Sequence, residues 1–185
     1  MKSIEKIVEF LGENKMANFI DCSAVKKFEK RNDIFFPSFM IGRELWQKII
    51  KNIWIYGTGG WGYTFPIVKR KQVDNFKYYF GSQWWCLNGD MAKWMYDYLN
   101  KNPEYIKLFK HSLCPDECFF QTLAMNSPFA VSIKPYLHYI KWEAGMSSPK
   151  ILTVADYEDL KKTDKIIARK FDIDIDSEVI KKLRG

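Results

Sequence analysis

An α/β fold with a mixed sheet is what this sequence predicts. Segments of helical period and segments of strand composition alternate along the whole chain, and their order is too irregular for a uniform array of parallel crossovers. With 47% hydrophobic residues and 17% aromatics over 185 residues, there is ample apolar surface to build a core. Ile4, Ile7, Val8 and Leu11 share one helical face behind Ser3, a good N-cap type, so the chain opens in an amphipathic helix. A short strand is expected over residues 18–21, a charged connection over 26–33 and a second helix over 43–50.

Residues 53–65 combine apolar Ile53-Trp54-Ile55, which reads as a strand, with Gly57, Gly59 and Gly62 in the spacing of a dinucleotide-binding fingerprint. The context fails, because Tyr63-Thr64-Phe65-Pro66 cannot start a helix and no acidic residue follows at the required distance. A loop carrying Trp61 and Tyr63 is the better reading, its aromatics either stacking on sugar rings or covering the core. Residues 76–80 and 83–87 have strand composition. Asn88 then caps a helix that aligns Met91, Trp94, Met95, Tyr98 and Leu99, and Asn102-Pro103 opens another as far as Phe109. Pro115 opens a helix with Asp116 and Glu117 in its first turn and Phe119, Phe120 and Leu123 behind. A strand is expected over residues 137–142, and Thr153 with Asp156 forms a capping pair for the helix that carries Tyr157 and Leu160.

The formal charge of +7 favours phosphate-bearing partners. Its basic residues are scattered (Lys26, Lys27, Lys30 and Arg31; Lys69, Arg70 and Lys71; Lys161 and Lys162), as on a solvated surface, so no nucleic-acid partner is predicted. There is no apolar run of about eighteen residues and no signal-peptide pattern at the N-terminus. The expected location is cytoplasmic, with membrane association through basic residues left open. Cys22, Cys86, Cys114 and Cys118 read as reduced thiols. His111, Cys114 and Cys118 offer three zinc ligands where a structural site needs four, at a spacing that fits no finger or ribbon, so no metal is expected.

Three sets of residues could carry chemistry. Carboxylates in a first helical turn, such as Asp116 and Glu117, are held ionised by amides and dipole and can act as a general base; they also occur there for stability alone. Lys170 stands in a charged stretch whose Asp172, Asp174 and Asp176 suggest a calcium loop, but Ser177 replaces the glycine and Leu183 the bidentate Glu. A solvated charged turn is its plain reading. Trp84, Trp85 and Trp142 offer flat faces to a sugar ring or fill a core.

Several segments in order carry a resemblance: Gly81-Ser82-Gln83-Trp84-Trp85-Cys86-Leu87; Pro115-Asp116-Glu117-Cys118-Phe119-Phe120-Gln121-Thr122-Leu123 with Asn126-Ser127-Pro128-Phe129; Leu137-His138-Tyr139-Ile140-Lys141-Trp142; Ser148-Pro149-Lys150; and Ala168-Arg169-Lys170-Phe171-Asp172. Together they resemble the family of core-2/I-branching β-1,6-N-acetylglucosaminyltransferases and peptide O-xylosyltransferases, especially its bacterial-type members. The resemblance implies a GT-A-like fold and inverting transfer of N-acetylglucosamine or xylose from a UDP-sugar to a glycan or protein, with no metal or other cofactor required. It implies Glu117 as general base, Lys170 as a cation on the leaving diphosphate, and Lys150 as a second basic contact, a place where the family commonly has Arg. Trp142 is then an acceptor-side aromatic, with Trp84 and Asp116 also on the substrate.

One departure is large. The family's nucleotide-binding strands, which precede the helix resembling residues 3–11 and end in a Gly-Gln-Asp-like segment, have no counterpart in this sequence. The expectation is therefore that residues 1–185 form the C-terminal part of a single catalytic domain, inactive alone, with a separate N-terminal polypeptide as one way to complete it. The competing readings are a non-catalytic carbohydrate-binding or scaffold remnant, which would bind glycan without UDP, and a nucleic-acid binder resting only on charge.

Overall fold

Side-chain caps start the first helix and the Asn88 helix where the sequence predicts them. In the computed structural model, which describes residues 3–23, 35–40, 42, 44–57, 77–112, 114–146 and 148–184, the Ser3 hydroxyl accepts a hydrogen bond from the Lys6 N–H at 3.4 Å and opens α1 (Ile4–Glu13). The chain divides into two compact units, one made of Met1–Ala17 with Tyr136–Gly185 and the other of Asn18–Pro135.

In the second unit β1 (Asn18–Phe19) pairs in parallel with β2 (Ile133–Lys134), while Phe19 and Ser23 form antiparallel bridges to Cys86 and Phe80. This small mixed sheet is tied by Asn18, fully buried, whose amide donates to the Ser132 hydroxyl (2.8 Å) and accepts from the Asn88 N–H (2.9 Å). Burying that amide costs nothing extra because both ends are paired. The Asn88 side chain in turn accepts from the Met91 N–H at 2.8 Å and caps α3 (Gly89–Lys101). Between the sheet segments lies α2 (Leu45–Gly57); after α3 come α4 (Pro103–Phe109) and α5 (Phe119–Met125). The core gathers Ile20, Phe80, Met91, Met95, Tyr105, Phe109 and Leu123, so the predicted face of α3 is the face that packs.

In the first unit β3 (His138–Ile140) pairs in parallel with β4 (Ile167–Arg169), His138 opposite Ile167. Parallel neighbours need a crossover, and here it is a 3-10 turn, Val154–Asp156, running into α6 (Tyr157–Lys162). The capping box of Thr153 and Asp156 is present as predicted. Leu152 and Leu160 pack with Val179 of α7 (Glu178–Arg184).

Four expectations need correction. Ile53, Trp54 and Ile55 are helical rather than a strand, since α2 runs to Gly57; a short apolar run has the same composition in either state, and here Ile55 packs on Phe36 while the Trp54 indole donates to the Phe35 carbonyl at 2.9 Å. The strand expected over 83–87 is reduced to the bridge at Cys86. Residues 168–176 are not one charged turn, because Ile167–Arg169 is a strand. The aspartates there serve the backbone: Asp172 accepts from the Asp174 N–H (3.0 Å), and Asp176 accepts from Val154, Glu178 and Val179. Finally, Asp116 and Glu117 lie on a separate 3-10 turn, Pro115–Glu117, ahead of α5 rather than in its first turn. Residues 26–33 and 58–62, with Trp61 and Tyr63, lie outside the described residues. Among the described residues no helix is long and apolar enough to cross a membrane, and none of the four cysteines is in a disulfide.

Candidate active site

The Glu117 turn is built on aromatic packing. Phe119 meets Tyr105, Phe109 and Phe120 with centroids 5.0–5.2 Å apart, and the Tyr105 hydroxyl donates to the Phe119 carbonyl at 2.7 Å. That burial pushes the Tyr105 phenol far above its ordinary value, so it stays a neutral donor. From this base the chain enters the turn through Cys114, whose φ of 51° puts a non-glycine residue in the left-handed region just before Pro115. Such a conformation persists only where neighbours over-determine it.

Those neighbours are visible. The Gly81 N–H donates to the Glu117 carbonyl at 3.0 Å, and the Ser82 N–H donates to the Asp21 carboxylate at 3.0 Å. The Gln121 amide, fully buried, donates to Ser82 O at 2.9 Å, Asp116 O at 3.3 Å and Gly81 O at 3.4 Å. The Glu117 turn and the loop that carries Trp84 and Trp85 are thereby fastened to each other. Glu117 is partly buried and Asp116 exposed. Trp85 packs on Phe120 at 5.1 Å, and Trp84 is 37% exposed.

Gly81 is required by this close approach, because a Cβ there would overlap the Asp21 carbonyl. Gly81→Ala should cost about 1–3 kcal/mol of stability, the usual range for overpacking. Urea denaturation checks this, and an unchanged midpoint would show that the two loops can separate without loss.

The other unit holds the lysines. Asp156, 1% exposed, accepts from Lys141 at 2.8 Å and from Lys150 at 2.9 Å, and its second oxygen accepts from the Thr153 N–H at 3.1 Å. Burial works against its charge, but the two ammonium groups and the Thr153 amide prevail and hold the carboxyl down at about 2. Lys141 also reaches Asp159 (3.0 Å), and Lys150 lies 3.9 Å from Glu143. Two cations thus face three carboxylates, so the charge of Lys150 is already committed. Lys170 differs: it follows β4, its carbonyl accepts from the Leu152 N–H at 2.8 Å, and among the described residues no carboxylate pairs with its ammonium. Trp142, directly after Lys141, is 59% exposed.

The predicted residues therefore fall into two groups, Asp116, Glu117 and Trp84 in one unit and Trp142, Lys150 and Lys170 in the other. A cavity of about 680 Å³ in the first unit is lined by Leu160, Ile167, Phe171, Leu183 and other side chains, but by none of Trp142, Lys150 and Lys170, and it is not part of the candidate site. Among the described residues no group of three or more His, Cys, Asp or Glu could hold a metal ion. Buried Cys118 instead lies 3.4 Å from the Thr122 hydroxyl. Burial, and then the nearby Asp21 charge, pushes the Cys22 thiol up to about 12. Sequence reasoning missed Gln121, Gly81 and Lys141. Only Gln121 left a signal, as an amide inside the apolar run Phe119-Phe120-Gln121-Thr122-Leu123, where a buried polar group must find partners.

In one unit a carboxylate turn is pinned to the loop that carries two tryptophans, and in the other a lysine after a strand end has no carboxylate partner among the described residues. The family model described as core-2/I-branching enzyme matches residues 3–164, and the chain belongs to that family of glycosyltransferases. The match takes in Trp84, Asp116, Glu117, Trp142 and Lys150 and ends before Lys170. A search of curated proteins finds no match to the chain.

Proposed function

We propose that the protein transfers N-acetylglucosamine or xylose from a UDP-sugar to a hydroxyl of a glycan or glycoprotein, with inversion, using Glu117 as general base. The observation that carries this reading is the placement of Glu117, inside the family match, on a turn whose backbone is clamped from two sides. Inversion is a single in-line displacement. Glu117 takes the proton of the acceptor hydroxyl as its oxygen bonds to the anomeric carbon, and the bond from that carbon to the diphosphate breaks with its electrons going to the leaving oxygen. Lys170 balances the charge that develops there, the task a divalent cation performs in other enzymes. Lys150, held by Asp156, is the weaker candidate for that role. Trp84 and Trp142 offer ring faces to the acceptor.

The test is release of UDP from UDP-N-acetylglucosamine and from UDP-xylose, with a panel of glycan and peptide acceptors and with EDTA present or absent, by the chain alone, which should be inactive, and by the chain completed with a nucleotide-binding N-terminal polypeptide. Transfer that survives EDTA and gives a product of opposite anomeric configuration is expected; loss of activity on chelation, or retention of configuration, would overturn the mechanism. Glycan binding with no UDP binding would favour a carbohydrate-binding module instead. Lys170→Ala should weaken UDP binding roughly ten- to a hundredfold, the range of one charge-assisted hydrogen bond. Lys150→Ala should weaken it less, because that ammonium already serves Asp156. Calorimetric titration with UDP decides the order, and a larger effect at Lys150 would reverse the assignment.

A further inference from the structure

We propose that Gln121 is a positioning residue for the reaction, acting through Glu117; the inference rests on the reading of Glu117 as base. Gln121 is fully buried in α5, and its Nε2 faces three backbone oxygens, those of Gly81, Ser82 and Asp116. Three acceptors around one atom assign that atom as the nitrogen, since the opposite amide orientation would set oxygen against oxygen. Two of the oxygens belong to the loop that carries Trp84, and the third belongs to the residue before Glu117. Gln121 therefore joins the aromatic loop and the carboxylate turn through one side chain.

Packing alone does not account for this amide. Its Oε1 is buried and has no hydrogen-bond partner among the described residues, so the amide is accounted for by what its Nε2 donates and not by its oxygen. The turn it holds also needs holding, because it is a single 3-10 turn entered through the left-handed Cys114. The second fastening, from the Gly81 N–H to the Glu117 carbonyl, runs from the same loop that the Gln121 amide restrains. Without Nε2 the Asp116 carbonyl and the loop oxygens lose their common donor, and the backbone of the Glu117 turn is no longer tied through that side chain to the loop that carries Trp84. Small displacements of a general base cost large factors in rate, because proton transfer requires hydrogen-bond reach.

A double-mutant cycle on the full chain tests the proposal. Gln121→Met removes the donors at similar length. It should lower kcat at least tenfold, with the donor KM within about twofold, when Glu117 is present, and should lower it less than about twofold further in the Glu117→Gln background. An equal loss in both backgrounds, or an unchanged kcat, would overturn the positioning role. Near-normal turnover of Glu117→Gln alone would instead overturn the base reading, and the positioning role with it. If Gln121→Met does not fold, Gln121→Asn, which retracts the amide by one methylene, goes through the same cycle with the same outcomes. Amide hydrogen exchange supplies a readout that needs no turnover: exchange at Gly81 should quicken at least tenfold in Gln121→Met while Met95 in α3 keeps its protection. Should the wild-type chain show no transfer, this measurement decides alone, and unchanged Gly81 protection would overturn the clamp.

Discussion

Glu117→Gln should lower kcat for sugar transfer by at least about a hundredfold while leaving UDP affinity within about twofold of wild type. General-base catalysis contributes typically 10²–10⁴-fold, and the amide that replaces the carboxylate keeps the shape of the side chain but cannot take a proton. The backbone contacts of residue 117 are unaffected, because the turn is held through its carbonyl by the Gly81 N–H and through the Asp116 carbonyl by Gln121. A loss confined to turnover thus separates chemistry from folding. Comparison with Asp116→Asn sharpens the test: Asp116 is exposed on the same turn and is expected on the substrate but not on its proton, so its amide variant should raise KM more than it lowers kcat. Equal losses at the two positions would assign the effect to the acidity of the turn and not to one base. Near-normal turnover of Glu117→Gln would remove the mechanism proposed above.

Asp156→Ala should destabilise the protein by about 3 kcal/mol, the lower end of the range for removing one partner of a buried ion pair. The lower end applies because Lys141 and Lys150 keep access to solvent, with side chains 36% and 24% exposed, and because Asp159 and Glu143 remain near them. Loss of the capping bond to the Thr153 N–H contributes about 1 kcal/mol of that cost. Asp156→Asn, which can keep the cap but not the charge, should fall between wild type and Asp156→Ala. The same carboxylate makes stability depend on acid. Its value in the folded protein is lowered from 3.8 to about 2. Between those values the unfolded chain binds more protons, so the contribution is complete above roughly pH 4 and is lost as pH falls through about 2; it amounts to roughly 2 kcal/mol. Urea titrations at pH 5 and pH 2.5 should show a loss of stability in wild type that is smaller in Asp156→Asn. If the two proteins lose the same amount, other carboxylates carry the acid sensitivity.

The helices that the sequence located most closely are those with a local signal at the start. Ser3, Asn88, Asn102-Pro103 and the Thr153–Asp156 pair each sit where the chain begins to turn, and the apolar face of Gly89–Lys101 packs as its spacing predicts. The strands were less legible. At two or three residues each, they are too short for an alternating pattern, and they exist because of partners distant in sequence: Asn18 and Phe19 meet Ile133 and Lys134, and His138 to Ile140 meet Ile167 to Arg169. Ile53 to Ile55 went astray for the converse reason, since an apolar triplet reads the same in either state until it is known that Ile55 packs on Phe36.

The candidate site divides along the same line. Residue type and order along the chain were enough to single out Glu117, Lys170 and the tryptophans and to indicate the glycosyltransferase family, because carboxylate, ammonium and ring face are properties of a side chain wherever it lies. How each is held was decided by tertiary structure alone. Lys150 and Lys170 are the same residue type in the sequence, yet one is committed to Asp156 and the other is unpaired among the described residues, and no local pattern distinguishes them. Gln121, in an apolar run, acquires its partners only when the loop of Gly81 and Ser82 is brought to it from 39 to 40 positions away. Hydrogen bonds and ion pairs between groups far apart in the chain depend on distances that only the folded backbone sets, whereas caps and helical faces are fixed within a few residues.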